Sequence, residues 1–264
     1  MPHLSIYNMT TVTTSSTEQC STSRYRKWKW SVIGYMILLH MFLAILIVKT
    51  DFIPRVKAKL GAAEIPNPHV INMVRYHQWM DSSVPDKATI FLGDSITQGL
   101  ATAAVAPYAI NYGIGTQNTA ELLHALPSYP SLNRAGVIFL AIGINDFIRD
   151  KKSGLSDRYR EIVERLPDQT PLIWSSVMPT GYGNIASADI AMANETIRSL
   201  CANRVNCIFV DTWHFLADEN GKMIASLFLE DGLHLSLGGY AAWIAALKQA
   251  LQDRAHADEI LDAN

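Results

Sequence analysis

The sequence predicts an α/β protein in which a five-stranded parallel sheet carries helices on both faces and one transmembrane helix precedes it. Two patterns carry this expectation. Five short apolar runs recur between residues 88 and 211, separated by stretches of helical periodicity, the alternation of parallel strands with crossover helices. Near the N-terminus, eighteen residues from Ser31 to Val48 pass without a formal charge, enough for a helix that reaches across a hydrocarbon core.

Residues 1–30 open with a Ser/Thr-rich stretch lacking any apolar period. It holds too little apolar surface to offset its ordering entropy and is expected to be a disordered tail with a basic flank. Residues 31–48 follow as the transmembrane helix, about 27 Å long at about 1.5 Å per residue. Trp28 and Trp30, interleaved with Lys27 and Lys29, precede it as an interfacial anchor. A cleaved signal peptide would end on small residues, whereas Val48-Lys49-Thr50-Asp51 follows here. A buried core helix would need a partner that a Ser/Thr-rich tail does not supply. His40 reads as a neutral residue tolerated in lipid, since no second polar group accompanies it. Four basic residues lie on each side of the run, and the tighter N-side cluster (Arg24, Arg26, Lys27, Lys29) places the tail inside and the folded domain outside the cytoplasm.

Residues 49–85 read as a juxtamembrane linker punctuated by Pro54, Pro66 and Pro68, then a helix with Val70, Met73, Val74, Tyr76 and Trp79 on one apolar face. The folded domain is assigned to residues 86–252. Its strands are ATIFLGD (88–94), YAINYG (108–113), GVIFLAIG (136–143), PLIWSS (171–176) and NCIFVD (206–211), each the length of a buried strand. Its helices are TAELLHAL, DRYREIVERL, SADIAMANETIRSLC and GGYAAWIAALKQALQ. Residues 253–264 are left as a C-terminal tail.

Composition excludes several classes. With 49% hydrophobic and 17% charged residues, the chain is neither disordered nor collagen-like. The net charge of −2 hides an asymmetry: residues 1–60 carry eight Lys/Arg against two acids, so the remainder is acidic. A nucleic-acid binder would instead place its basic residues on the folded domain. Three cysteines, Cys20, Cys201 and Cys207, show no zinc spacing. Buried free thiols are the default reading for Cys201 and Cys207, and a bridge requires their Cα atoms within about 4.4–6.8 Å.

Ligands bind beyond the carboxyl ends of strands in such sheets, and four segments there stand out: Gly93-Asp94-Ser95-Ile96-Thr97, Asn111-Tyr112-Gly113-Ile114-Gly115-Thr116, Gly143-Ile144-Asn145-Asp146 and Asp231-Gly232-Leu233-His234. A strand-end hydroxyl such as Ser95 needs a base to become a nucleophile. His234 can be that base, and Asp231, three residues earlier, can reach its other ring nitrogen. The oxyanion formed on attack needs preorganised donors, which Asn145 and backbone N–H groups at Ser95 and around Gly115 can supply. Taken singly, each segment has a plainer reading: strand-end turns form with Ser and Gly, and Asn145-Asp146 could cap a helix. Their joint occurrence in this order is hard to obtain by chance. A dinucleotide fingerprint at Gly113-Ile114-Gly115 fails at Asn118, and an α/β-hydrolase elbow fails at Thr97. Arg149, Lys151 and Lys152 read as a solvated cluster rather than an anion site.

The blocks GDSIT, NYGIGT, GIND and DGLH resemble those of the SGNH or GDSL hydrolases over roughly residues 86–252. The resemblance implies a flavodoxin-like three-layer α/β/α sandwich. It also implies catalytic Ser95, Asp231 and His234, with an oxyanion hole of Ser95, Asn145 and either Gly115 or Thr116. The family's glycine aligns with Thr116, a departure that keeps the backbone N–H but adds a Cβ. The expected function is a membrane-anchored, extracytoplasmic serine ester hydrolase acting through an acyl-enzyme on O-acetyl esters of carbohydrate or on lipid esters. Its partners are that ester substrate and the membrane, without cofactor, metal or nucleic acid. An acyltransferase using the same site and an inactive tethered binding module are the alternatives.

Overall fold

A computed structural model of the chain describes residues 17–49 and 67–262. The chain divides into two compact units, residues 1–65 and 66–264. In the first, helix α1 (Thr17–Lys49) begins well before the apolar run. Residues 17–30, expected above as the end of the tail and its basic flank, are therefore helical, while residues 1–16 and the linker at 50–66 lie outside the described residues. Arg26–Ile47 has a mean hydropathy of 2.2 and is long and apolar enough to cross a membrane. It is apolar on every face, and its large side chains from Trp28 to Leu46 are exposed, as suits a lipid-facing segment.

The second unit carries a parallel sheet of five strands, β1 (Thr89–Gly93), β2 (Ala109–Gly113), β3 (Val137–Ala141), β4 (Leu172–Ser175) and β5 (Cys207–Val210). Their order is β2-β1-β3-β4-β5, every pair parallel, the doubly wound order of flavodoxin-like sheets. Each strand falls inside a predicted apolar run. Alternation sorts their side chains into two cores. Ile90, Leu92, Ile138, Leu140, Leu172 and Trp174 enter one, together with Tyr159, Ile162, Ile190 and Ile197 from the helices at Leu155–Arg165 and Ser187–Ala202. Phe91, Phe139 and Ile173 enter the other, with Trp243 and Leu247. Burial on both faces explains why the strands read as continuous apolar runs.

Helix α2 (Pro68–Asp81) is the helix expected after the linker, and it groups with the second unit. Asn67 caps it, accepting the His69 N–H at 2.9 Å. Its buried positions are Val70, His77 and Asp81, whereas Tyr76 and Trp79, expected on the apolar face, are exposed. The difference lies in polar groups that tertiary contacts satisfy. Asp81 accepts from Tyr112 Oη at 2.9 Å, from the Ser131 N–H at 3.0 Å and from the Ser131 hydroxyl. Burial lowers the His77 imidazole to about 4, so it packs against Tyr112 as a neutral ring.

The remaining helices are α3 (Ser95–Gln98), α4 (Thr119–Ala125), α5 (Ile144–Ile148), α6 (Leu155–Arg165), α7 (Ser187–Ala202), α8 (Trp213–Leu216) and α9 (Leu237–Asp262). Helices of four or five residues such as α3, α5 and α8 have too few turns for a period to register in sequence. α9 runs through the segment expected as a C-terminal tail, because DRAHADEILD is built of residues that tolerate a helix.

Cys201, at the end of α7, and Cys207, at the start of β5, form a disulfide with Cα atoms 5.2 Å apart, correcting the default of free thiols. Nothing in sequence alone sets the approach of that helix end to that strand start. Alkylation of the denatured, unreduced full chain is expected to label only Cys20. Labelling of all three cysteines would contradict the bridge.

Candidate active site

Three strand ends lie level. Gly93 is in register with Gly113 on one side and with Ala141 on the other, so the segments carrying Ser95, Thr116 and Asn145 leave the sheet together. Gly93 is required by close approach: a Cβ there would come within 2.4 Å of the Ala141 carbonyl and 2.1 Å of Thr97 Oγ1. Asp94 then caps α3 by accepting the Ile96 N–H at 3.0 Å, which starts the helix at Ser95. Burial pushes the Asp94 carboxyl up to about 7, against the pull of the Ile96 N–H and the His234 charge.

The Asp231–His234 segment is a tight turn. Gly232 has φ of +63°, and a Cβ there would crowd Gly181, so glycine is needed on both counts. Its carbonyl accepts from the Gly181 N–H and from Thr180 Oγ1, both at 2.8 Å. Asp231 Oδ1 accepts the Leu233 and His234 N–H groups at 2.9 Å, while Oδ2 lies 2.6 Å from His234 Nδ1. Burial raises the Asp231 carboxyl, but the hydrogen bond and charge of the His234 ring and the two backbone donors together outweigh it and hold it at about 2. An ionised carboxylate only accepts, so Nδ1 carries the proton and Nε2 offers its lone pair. Ser95 Oγ lies 2.9 Å from that Nε2 and donates to it. The turn thus brings together the three residues singled out as nucleophile, base and carboxylate, in a geometry that can move the Ser95 proton to His234.

The other four groups are placed as follows. Asn145 is buried and uses one amide hydrogen on the Gln117 carbonyl at 3.0 Å. It does not cap α5, whose N-cap is Gly143. Asp146 instead faces inward, accepting from Thr119 N and Oγ1 at 3.0 and 2.6 Å and from Arg158 at 3.1 Å. Burial raises its carboxyl, and these donors oppose that. The Gly115 N–H is committed to Gln98 Oε1 at 2.6 Å. Thr116 stands at φ of +67°, a conformation that costs a residue other than glycine of order 1–3 kcal/mol.

Sequence reading missed Asn67 and Gln98, which touch the second block from outside it. Arg149 is not part of a solvated cluster: it pairs with Glu121 at 3.0 Å and donates to the Thr116 carbonyl at 2.5 Å. Lys152 pairs with Asp189. A cleft of about 470 Å³ separates the segment after Asn145 from the segment after β4, with Phe147, Lys152, Tyr182, Asn184 and Asp189 on its walls. Among the described residues no group of His, Cys, Asp and Glu gathers to hold a metal.

The sequence model of the GDSL-like lipase/acylhydrolase family matches residues 91–242, a segment that takes in all four blocks. No curated protein matches the sequence. Among solved structures, the chain is similar to a Streptococcus pneumonia protein assigned as a platelet activating factor, at 23% identity and TM-score 0.61 over 70% of this chain and 92% of that one. It is also similar to a GDSL-like lipase from Bacteroides thetaiotaomicron, at 20% identity and TM-score 0.56 over 70% and 98%. The catalytic domain of peptidoglycan O-acetyltransferase A from Streptococcus pneumoniae aligns at 17% identity and TM-score 0.51 over 65% and 96%. These likenesses show the fold.

Proposed function

Because the chain belongs to the GDSL-like lipase/acylhydrolase family, we propose that it is a serine ester hydrolase removing small acyl groups, above all acetyl, from a carbohydrate at a membrane surface. The observation that carries this reading is the relay from Ser95 Oγ to His234 Nε2 at 2.9 Å and from His234 Nδ1 to Asp231 at 2.6 Å. Ser95 Oγ attacks the acyl carbonyl as its proton passes to Nε2. The imidazolium formed is stabilised by Asp231 and then protonates the departing alkoxide. Water, deprotonated by His234, adds to the acyl carbon, and the imidazolium then protonates Ser95 Oγ as the ester bond breaks and the carboxylic acid leaves. The oxyanion of each tetrahedral intermediate is held by the Ser95 N–H, the second amide hydrogen of Asn145 and the Thr116 N–H. Thr116 is preferred to Gly115 because the Gly115 N–H already has Gln98 as its acceptor. No step calls for a cofactor.

A polar alcohol is supported by the cleft described above, whose Tyr182 adjoins Gly232 of the Asp231–His234 turn. The Lys152–Asp189 pair and the Asn184 amide offer hydrogen bonds, and Tyr182 offers a partly exposed ring. Such walls suit a hydroxylated alcohol better than a long acyl chain. Membrane anchoring is supported by the apolar segment Arg26–Ile47. An extracytoplasmic catalytic unit is supported by the Cys201–Cys207 bridge, which persists in an oxidising compartment. Transfer of the same acyl group to a sugar hydroxyl is the second reading, favoured by the fold shared with an O-acetyltransferase domain.

The detergent-solubilised full chain, assayed on p-nitrophenyl esters of increasing length, is expected to prefer acetate over octanoate by at least about ten-fold, and to release acetate from acetylated sugars. A rate rising with chain length would point to lipid esters instead. Product appearing on an added sugar faster than free acetate would favour transfer.

A further inference from the structure

Thr116 occupies a backbone conformation that glycine adopts freely and a β-branched residue does not. Such a residue persists where its surroundings over-determine it, and here a closed ring of side chains does so. Asn67 Nδ2 donates to Thr116 Oγ1 at 2.8 Å, and Arg149 Nη2 donates to the Thr116 carbonyl at 2.5 Å. Arg149 Nη1 pairs with Glu121 at 3.0 Å, and Glu121 accepts the backbone N–H of Asn67 at 3.4 Å. The Glu121 side chain is only 8% exposed and that of Arg149 29%, so the pair is anchored on a buried carboxylate. Thr116 is therefore gripped at its hydroxyl and at its carbonyl, on two branches of one Cα, which holds in place the Cα that carries the N–H.

We propose that Asn67 and Arg149 form a latch that orients the Thr116 N–H toward the oxyanion, doing with side chains what a glycine would do by conformational freedom. Both are positioning residues, and the proposal rests on the hydrolase reading above. Asn67 lies on the flank of α2, outside the segment that the family's sequence model matches. The flanking helix is thereby part of the working site.

The decisive variants alter Thr116 and leave the Asn67 cap on α2 intact. Thr116→Val removes the latched hydroxyl and keeps the branched Cβ; its kcat on p-nitrophenyl acetate falls about ten-fold with KM nearly unchanged. Thr116→Gly keeps the backbone N–H but removes the latch and the strain together, so its kcat falls clearly less than that of Thr116→Val. Asn67→Ala matches Thr116→Val in kcat and adds nothing when combined with it. Arg149→Lys, which cannot bridge Glu121 and the Thr116 carbonyl with one planar fork, also lowers kcat. Unchanged turnover by Thr116→Val, or equal losses in Val and Gly, would overturn the latch while leaving the hydrolase reading intact. A wild-type chain that neither turns over the ester nor reacts at Ser95 would overturn both.

Discussion

Ser95→Ala is expected to lower kcat on p-nitrophenyl acetate by about 10⁴- to 10⁶-fold. In the proposed mechanism the loss is large because Ser95 and His234 act as one unit: with Oγ gone, Nε2 has no proton to accept and no covalent intermediate forms. The residual rate then comes from water attacking a carbonyl still polarised by Asn145 and backbone donors. KM should change little, since Ser95 is a small side chain at the end of a buried strand and contributes little to substrate binding. The variant is expected to fold, because Ser95 Oγ makes its contact with the His234 ring and not with the core. Turnover retained within about ten-fold of wild type would remove Ser95 from the mechanism.

Asp231→Asn is expected to cost about 10³- to 10⁴-fold in kcat. The amide oxygen can keep accepting the Leu233 and His234 N–H groups, so the turn survives. Its NH₂ then faces His234 Nδ1, which must become an acceptor. The ring proton moves to Nε2, where it blocks receipt of the Ser95 proton, and the imidazolium loses its counter-charge. In the wild type this carboxyl sits at about 2. It therefore stays ionised as pH falls through the mildly acidic range, and its own protonation does not set the acid limb of activity. A depressed carboxyl favours the folded state above the ordinary carboxylate value and loses that contribution as pH falls through about 2. The steady-state constants of Asp231→Asn at neutral pH check the account: a loss confined to KM would mean that Asp231 shapes the cleft and not the base.

The strands and the relay were legible because each is written locally. Ile90, Leu92, Ile138 and Leu140 lie in runs buried on both faces, and Asp231 and His234 are joined by one three-residue turn. Only Ser95 is distant in sequence, and its strand-end position already assigned it to the ligand face. What escaped the reading depends on contacts between segments far apart in the chain. Asp81 on the buried face of α2 makes sense only once Tyr112 and Ser131 are beside it. Arg149 looks solvated until Glu121, 28 residues away, is seen to hold it. The bond that engages the Gly115 N–H comes from the exposed Gln98 side chain, which no spacing rule ties to the second block.

Reaction of the full chain with a sulfonyl fluoride, followed by intact mass and peptide mapping, tests the central claim most directly. One adduct per chain is expected, on Ser95, absent from Ser95→Ala and much slower to form in His234→Ala. An adduct on another residue, or none while ester turnover continues, would contradict the assignment of Ser95 as the nucleophile.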